Sequence, residues 1–446
     1  MIDARGEHNT VLFIVPTCLI MGIAIINYKL GFLLYLLFQM IWYPDTQLFA
    51  IAGSWINLNF ASAVYFAILY VLKVKRGKRT SFPYTKPMLF IGMSLLLTSF
   101  TSMSGFFSEL IKAAGLILME LFIVYIIWQT VNSKSDFAFL FKGITVIVFW
   151  ACIYTFYEKA TGRNPVLDYK ITCTTNLFET YRDFQQWDFR GYRCYSIFDH
   201  TIYACMTFSL YAALVVNLYV KKKKYPFKAL SLVTAALCVP AMFFTQQRTG
   251  FFMLFIAVLP AIDFKRIRLW KLIGLAVIAL MFLTPYISSN IGLLLSMVSS
   301  KYAAKVSGSS ASMRFDQLDA VFHVMLISPL TGLGENFQRY YTGKYVARAM
   351  GYESLWFEQM AKHGVVGVLA YIYMIYYSVF VVPHKYKSKE IFFISLSYWM
   401  TYTLTSTPYF RTYFLYTILF YYIKSSSGYI SYANLKLGDK RPGAKC

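Results

Sequence analysis

The sequence predicts an all-α, polytopic integral membrane protein with about 12 to 13 transmembrane helices and two long loops on one face. Three observations predict it. At 58% hydrophobic, 19% aromatic and only 14% charged residues, the chain carries too little charge to solvate a soluble protein of 446 residues. Its apolar runs are too long and too uniform for barrel strands, and helices are the other structure that satisfies every backbone group in hydrocarbon. Basic clusters fall at alternate junctions between those runs: Lys73 to Arg79, Lys134, Lys221 to Lys224, Lys265 to Lys271, His384 to Lys389, and Lys424 onward. Positive charge beside a span marks the cytoplasmic side, so the clusters set the orientation.

Spans are predicted near residues 10–28, 29–43, 47–72, 87–104, 107–131, 138–157, 199–220, 226–246, 249–264, 269–288, 355–382, 390–406 and 409–424, so that residues 1–446 form one membrane domain. With Lys73 to Arg79 inside, a tight outer turn falls near Gly105, the chain returns to Lys134, and an outward pass ends near Tyr157. The loop 158–197 is then outside, as are the turn Gln246 to Gly250, the loop 289–354 and the turn Thr407 to Arg411. Within the second loop, Phe315, Leu318, Val321, Phe322, Met325 and Leu326 recur at helical spacing, which predicts an amphipathic helix lying against the membrane surface. Pro329 ends it, and Gly332 and Gly334 supply the turn.

Composition also excludes function classes. A net charge of +23 suggests nucleic acid, but the basic residues sit in short clusters beside spans, where anionic headgroups of the bilayer are the simpler partner. None of the seven cysteines stands in a Cys-x-x-Cys pair, and no histidine has zinc-ligand spacing, so no metal site is expected. Cys18, Cys152, Cys205 and Cys238 lie in predicted spans; Cys173 and Cys194 share an outer loop, where a disulfide closing about twenty residues is permitted. No cleavable signal peptide is expected, because the first apolar segment follows Asp3, Arg5 and Glu7 without a basic leader. Internal repeats are not apparent and the mid-span segments read as nearly free of charge, with Glu109, Lys112 and Glu120 the main exceptions, which weakens a transporter reading.

Against the positive-inside bias, Arg193, Arg248, Arg314 and Arg411 gather on the outer side. A single such arginine is a headgroup anchor or the partner of a loop acid; Arg248 has no acid within its short turn, and a guanidinium grips phosphate bidentately. Arg314 falls in the first turn of its predicted helix, where the helix dipole gives a cation nothing, so a nearby anion explains it better. Glu353 stands at the mouth of the span beginning near Leu355, either as a helix N-terminal acid, as the partner of an arginine, or as a base. His363 reads as core packing, and His200 and His323 as ambiguous.

Taken in order, Arg314, Ser328-Pro329-Leu330-Thr331-Gly332-Leu333-Gly334, Tyr352-Glu353-Ser354 and His363-Gly364-Val365-Val366-Gly367 resemble the C-terminal signature of the O-antigen polymerase and O-antigen ligase superfamily. Arg193 to His200 resembles that family's arginine-bearing entry to a span, and Gln247-Arg248-Thr249-Gly250 its arginine turn. The likeness covers roughly residues 190–380. It implies a C-type glycosyltransferase fold in the bacterial inner membrane, acting at the periplasmic face on glycans carried by undecaprenyl pyrophosphate, without metal or cofactor. Glu353 and Arg248 are then the expected catalytic residues, with Arg193, Arg314, Arg411, His200 and Tyr352 binding substrate. Ligases of the family carry His-Asn where this chain has Glu353-Ser354, whereas many polymerases carry Glu-Ser, so the resemblance favours a polymerase over a ligase. Surface-polysaccharide assembly of this kind also implies a chain-length regulator and a flippase as partners. A lipid-linked oligosaccharide transporter and an assembly scaffold are the rivals from other classes. Trp187, Tyr192, Tyr340 and Tyr341 are available to stack on sugar rings.

Overall fold

The computed structural model describes residues 11–41, 47–51, 54–73, 81–172, 192–198, 200–221, 225–262, 311–335, 337, 354–405 and 412–426. The protein is an all-α, multi-pass membrane protein. Among the described residues, five helices are long and apolar enough to cross a bilayer: Phe106–Thr130 (α5), Lys134–Thr161 (α6), Thr201–Val220 (α8), Lys228–Thr245 (α9) and Leu355–Tyr386 (α12). Shorter apolar helices accompany them: Val11–Ile26 (α1), Tyr28–Phe38 (α2), Leu58–Lys73 (α3), Thr85–Thr98 (α4) and Arg248–Val258 (α10), with Lys389–Thr405 (α13) and Thr412–Ser426 (α14) completing the bundle. A short helix Pro165–Thr172 (α7) follows α6, and Ala311–Met325 (α11) precedes α12. The predicted span 269–288 lies outside the described residues.

Two ends of the bundle have opposite chemistry. At the lysine-rich end, Asp136 pairs with Lys29 at 2.7 Å and Lys221 pairs with Glu390. The buried Lys424 ammonium donates to the carbonyls of Trp128 and Val131 and to Asn132 Oδ1, each at 2.6 Å. The last carbonyls of α5 have no partner within their own helix, and a lysine supplies it. Ser133 and Asp136 form a capping box that starts α6 at the same end. Glycines punctuate the opposite, loop end: Gly105 (φ 86) precedes α5 and Gly162 (φ 64) closes α6.

α8 is apolar on all sides and buried on nearly all of them, so it forms the centre of the bundle. α10 lies close against it because Gly250 lacks a side chain; a Cβ there would collide with Cys205 Sγ. Ser209 donates to the Gly250 carbonyl at 2.8 Å, and Asn217 to the Ala257 carbonyl at 3.0 Å, so the contact is polar as well as tight.

One expectation changes. Residues 47–72 are not one span: Gln47–Ile51 and Ser54–Asn57 (β1 and β2) form an antiparallel hairpin before α3. The polar Gln47, Ser54 and Asn57 account for the break, and Asn57 Oδ1 caps α3 by accepting the Phe60 N–H at 2.7 Å. α5 contains a π-helical stretch, Ile117–Phe122, that re-aims the side chains around Glu120. In α11 the buried face is Gln317, Ala320, Val321 and Val324, while Phe315, Phe322 and Leu326 of the apolar stripe are exposed.

Candidate active site

Residues 192–196 are stitched to the end of α6 by a buried carboxylate. Glu158, on the last turn of α6, accepts the Tyr195 N–H at 3.0 Å, the Ser196 N–H at 2.6 Å and the Tyr192 hydroxyl at 3.1 Å. Asn164 and Lys170 hold the following carbonyls, of Ser196 at 2.8 Å and of Ile197 at 2.6 Å. On the other side, the Cys194 N–H donates to the Phe244 carbonyl at 3.0 Å, which ties this segment to the end of α9. Arg193 is therefore held between α6 and α9, with its Nε buried. Burial pushes the Cys194 thiol above the usual range, with the Glu158 charge adding to the effect. Its predicted partner Cys173 lies outside the described residues.

His200 serves the fold as the N-cap of α8, where its Nδ1 accepts the Ile202 N–H at 3.1 Å. One residue on, Thr201 Oγ1 accepts from Gln247 Nε2 at 2.7 Å, which draws the turn before Arg248 against the start of α8. The structure thus brings the backbones of Arg193, His200 and Arg248 to one end of the bundle, with Arg248 opening α10. Arg314 lies in the first turn of α11, which packs on α12. The side chains of Arg248 and Arg314 lie outside the described residues, as do Tyr352, Glu353 and Arg411 entirely. Ser354, directly after Glu353, donates to the Thr403 carbonyl at 3.1 Å, so this point of the chain sits against the end of α13.

Residues 329–334 are built into the membrane helix itself. α12 is broken at Gly364 (φ 61, ψ −156). A continuous helix would bond the Val365 and Val366 N–H groups to the carbonyls of Ala361 and Lys362. Instead Val365 and Val366 donate to Pro329 and Leu330 at 2.9 and 3.1 Å, while the freed carbonyls of Ala361 and Lys362 accept from Leu333 and Gly334, both at 3.0 Å. Four groups orphaned by the break are satisfied by one inserted loop, as the bilayer demands of any interrupted helix. Glycines make it fit: a Cβ on Gly332 would strike the Lys362 backbone, and one on Gly334 would strike Ser102.

Charged side chains follow the splice. Glu335 Oε2 lies 2.8 Å from Lys362 Nζ, and its Oε1 lies 3.1 Å from His363 Nε2. Lys362 also pairs with Glu358, one turn earlier. His363 Nδ1 sits 3.0 Å from Thr98 Oγ1 at the end of α4. The Glu335 N–H donates to Glu109 at 2.8 Å, and Ser102 and Ser104 donate to the same carboxylate at 2.9 and 3.0 Å. Burial raises the Glu335 carboxyl, but the Lys362 ammonium and His363 more than offset it and hold the group well below the usual carboxylate range.

Sequence reasoning missed part of this. Glu358 and Lys362 were not counted among the charges within spans, although their spacing of one turn signals a pair on one helix face. Glu109 and Lys112 now have a place, beside the inserted loop at the loop end rather than along a path through the bilayer. The packing role expected for His363 holds, with hydrogen-bond partners on both ring nitrogens.

The sequence profile of the O-antigen ligase family matches residues 232–372. Over that stretch the chain is similar to the O-antigen ligase family, which supports the resemblance to the O-antigen ligase and polymerase superfamily. The matched stretch runs from α9 to α12 and contains Arg248, Arg314, the spliced loop, Tyr352, Glu353 and the break at Gly364. No curated protein matches the chain.

Proposed function

We propose that this protein is a surface-polysaccharide polymerase of the O-antigen ligase and polymerase superfamily. It transfers a growing glycan from undecaprenyl pyrophosphate to a hydroxyl of a second lipid-linked repeat unit, at the periplasmic face of the bacterial inner membrane. The acceptor hydroxyl oxygen bonds to the anomeric carbon of the donor glycan. The bond from that carbon to the pyrophosphate oxygen breaks, and its electron pair leaves on undecaprenyl pyrophosphate. Glu353 takes the hydroxyl proton. Arg248, with Arg193, Arg314 and Arg411, stabilises the charge that grows on the leaving group, which is the largest electrostatic demand of the reaction. His200 orients the start of α8, and Tyr352 contributes to the sugar site. No metal is required by this scheme, because fixed guanidinium groups meet the same demand.

The observation that carries the reading is the family match across residues 232–372, which spans both proposed catalytic residues. Support also comes from the hydrogen bonds that tie Cys194 to Phe244 and Gln247 to Thr201. The choice of polymerase rests on Glu353-Ser354 standing where ligases resemble one another in His-Asn. Transfer to lipid A-core is the second reading, favoured by the description of the matching family. In a strain lacking the chromosomal copy, Arg248→Ala and Glu353→Ala are expected to insert normally and to abolish long glycan chains in a surface-polysaccharide ladder. Normal ladders from both variants would remove the proposed site.

A further inference from the structure

The break at Gly364 divides α12 into a half-helix, residues 355–363, and the rest of the span. The half-helix begins at Ser354, the residue that follows Glu353 in the chain. The four backbone bonds of the splice all lie at its foot, between residues 361 and 366. Glu335 adds the side-chain link. One carboxylate oxygen holds Lys362, the other holds His363, and Lys362 reaches on to Glu358, a turn closer to Ser354. From behind, Glu335 is fixed through its own N–H by Glu109 of α5. The line of contacts therefore runs from α5 through the inserted loop to the half-helix.

Stability alone does not account for this arrangement. Removing two charges from water costs about as much as their attraction returns, and apolar side chains of similar volume commonly hold a buried site as well or better. An ion pair with both carboxylate oxygens engaged does select one geometry, which loosely packed apolar side chains would not. We propose that Glu335 is a positioning residue of the transfer reaction, holding, through its bonds to Lys362 and His363, the half-helix that follows Glu353 and Ser354 in the chain. This rests on Glu353 acting as the base in the reading above.

The test uses full-length protein in liposomes with lipid-linked repeat units as substrate, comparing wild type with Glu335→Gln, Lys362→Met and the double variant. A displacement of about 1 Å at a reacting group costs up to roughly a hundredfold in rate. Each single variant is expected to keep its amide protection in α8 and to lose at least about tenfold in kcat, with KM for the lipid-linked unit changing less than about threefold. The double variant is expected to lose no more than the worse single, because both remove one device. Turnover within about twofold of wild type, losses that multiply in the double variant, or failure of Glu335→Gln to fold would each overturn the proposal. If wild type forms no product from lipid-linked units or with lipid A-core acceptor, the reading of the site fails instead. Hydrogen exchange at the Leu333 and Gly334 amides then decides the latch separately. Faster exchange in Glu335→Gln with α8 unchanged supports it, and equal exchange overturns it.

Discussion

Replacing Gly364 with alanine probes the splice directly. Its backbone (φ 61, ψ −156) lies in a region essentially restricted to glycine, where another residue costs about 1 to 3 kcal/mol. A Cβ built there stands 2.6 Å from the Leu330 carbonyl carbon and oxygen and 2.7 Å from the Pro329 oxygen. All three are backbone atoms, so no side chain can turn aside, and overpacking adds about 1 to 3 kcal/mol. The alternative is to expel the loop, which would leave four buried polar groups unpaired at about 1 to 3 kcal/mol each. Strain is the cheaper route. Gly364→Ala is therefore expected to destabilise the protein by about 2 to 6 kcal/mol and to lower turnover through the half-helix. Gly22→Ala is the control: Gly22 lies inside α1 with nothing within 4 Å of a built Cβ, so the change should be neutral or stabilising by up to about 1 kcal/mol. Unfolding titrations in detergent measure both. A Gly364→Ala protein as stable as wild type would refute the spliced-loop account.

Glu158→Gln keeps the shape of the side chain but offers one acceptor oxygen where the carboxylate offers two to the Tyr195 and Ser196 amides. The expected loss is about 1 to 3 kcal/mol, with reduced turnover through the loosened Arg193; an unfolding curve unchanged from wild type would contradict it. Acid titration tests Glu335. Because its folded carboxyl lies below the unfolded value, its contribution is fully present above about pH 4.3 and fades as pH falls through the depressed folded value. The stability difference between wild type and Glu335→Gln should thus stay constant from about pH 8 to 5 and shrink only in stronger acid. A difference that already shrinks between pH 7 and 5 would place the folded carboxyl too high.

The spans and their alternation were legible because hydropathy and the positive-inside bias are local signals, readable along the chain. Lys424, Lys29 and Lys221 at one end and Gly105, Gly162 and Gln246 at the other follow from them. The hairpin before α3 was hidden because its largely apolar strands join an apolar helix, with Gln47, Ser54 and Asn57 the few polar residues that mark the break. Gly332, Gly334 and Gly364 were visible as a motif, yet their reason was not. They let a loop supply hydrogen bonds that a helix distant in sequence has given up. Glu335, Lys362 and Glu109 escaped for the same cause, since their pairing depends on that insertion. In α11 Ala320 and Val324 are small enough to pack on α12, which leaves Phe315, Phe322 and Leu326 of the predicted apolar stripe exposed.

The proposed function requires one site to polymerise lipid-linked units. Purified protein in liposomes, given a single defined repeat unit on undecaprenyl pyrophosphate and no lipid A-core, is the most direct measurement. A polymerase is expected to give a ladder of products that lengthens with time and one undecaprenyl pyrophosphate released per bond formed, both absent with Glu353→Ala. Unit-length substrate that stays unchanged until lipid A-core is added, and is then transferred to it, would contradict the claim and make the protein a ligase.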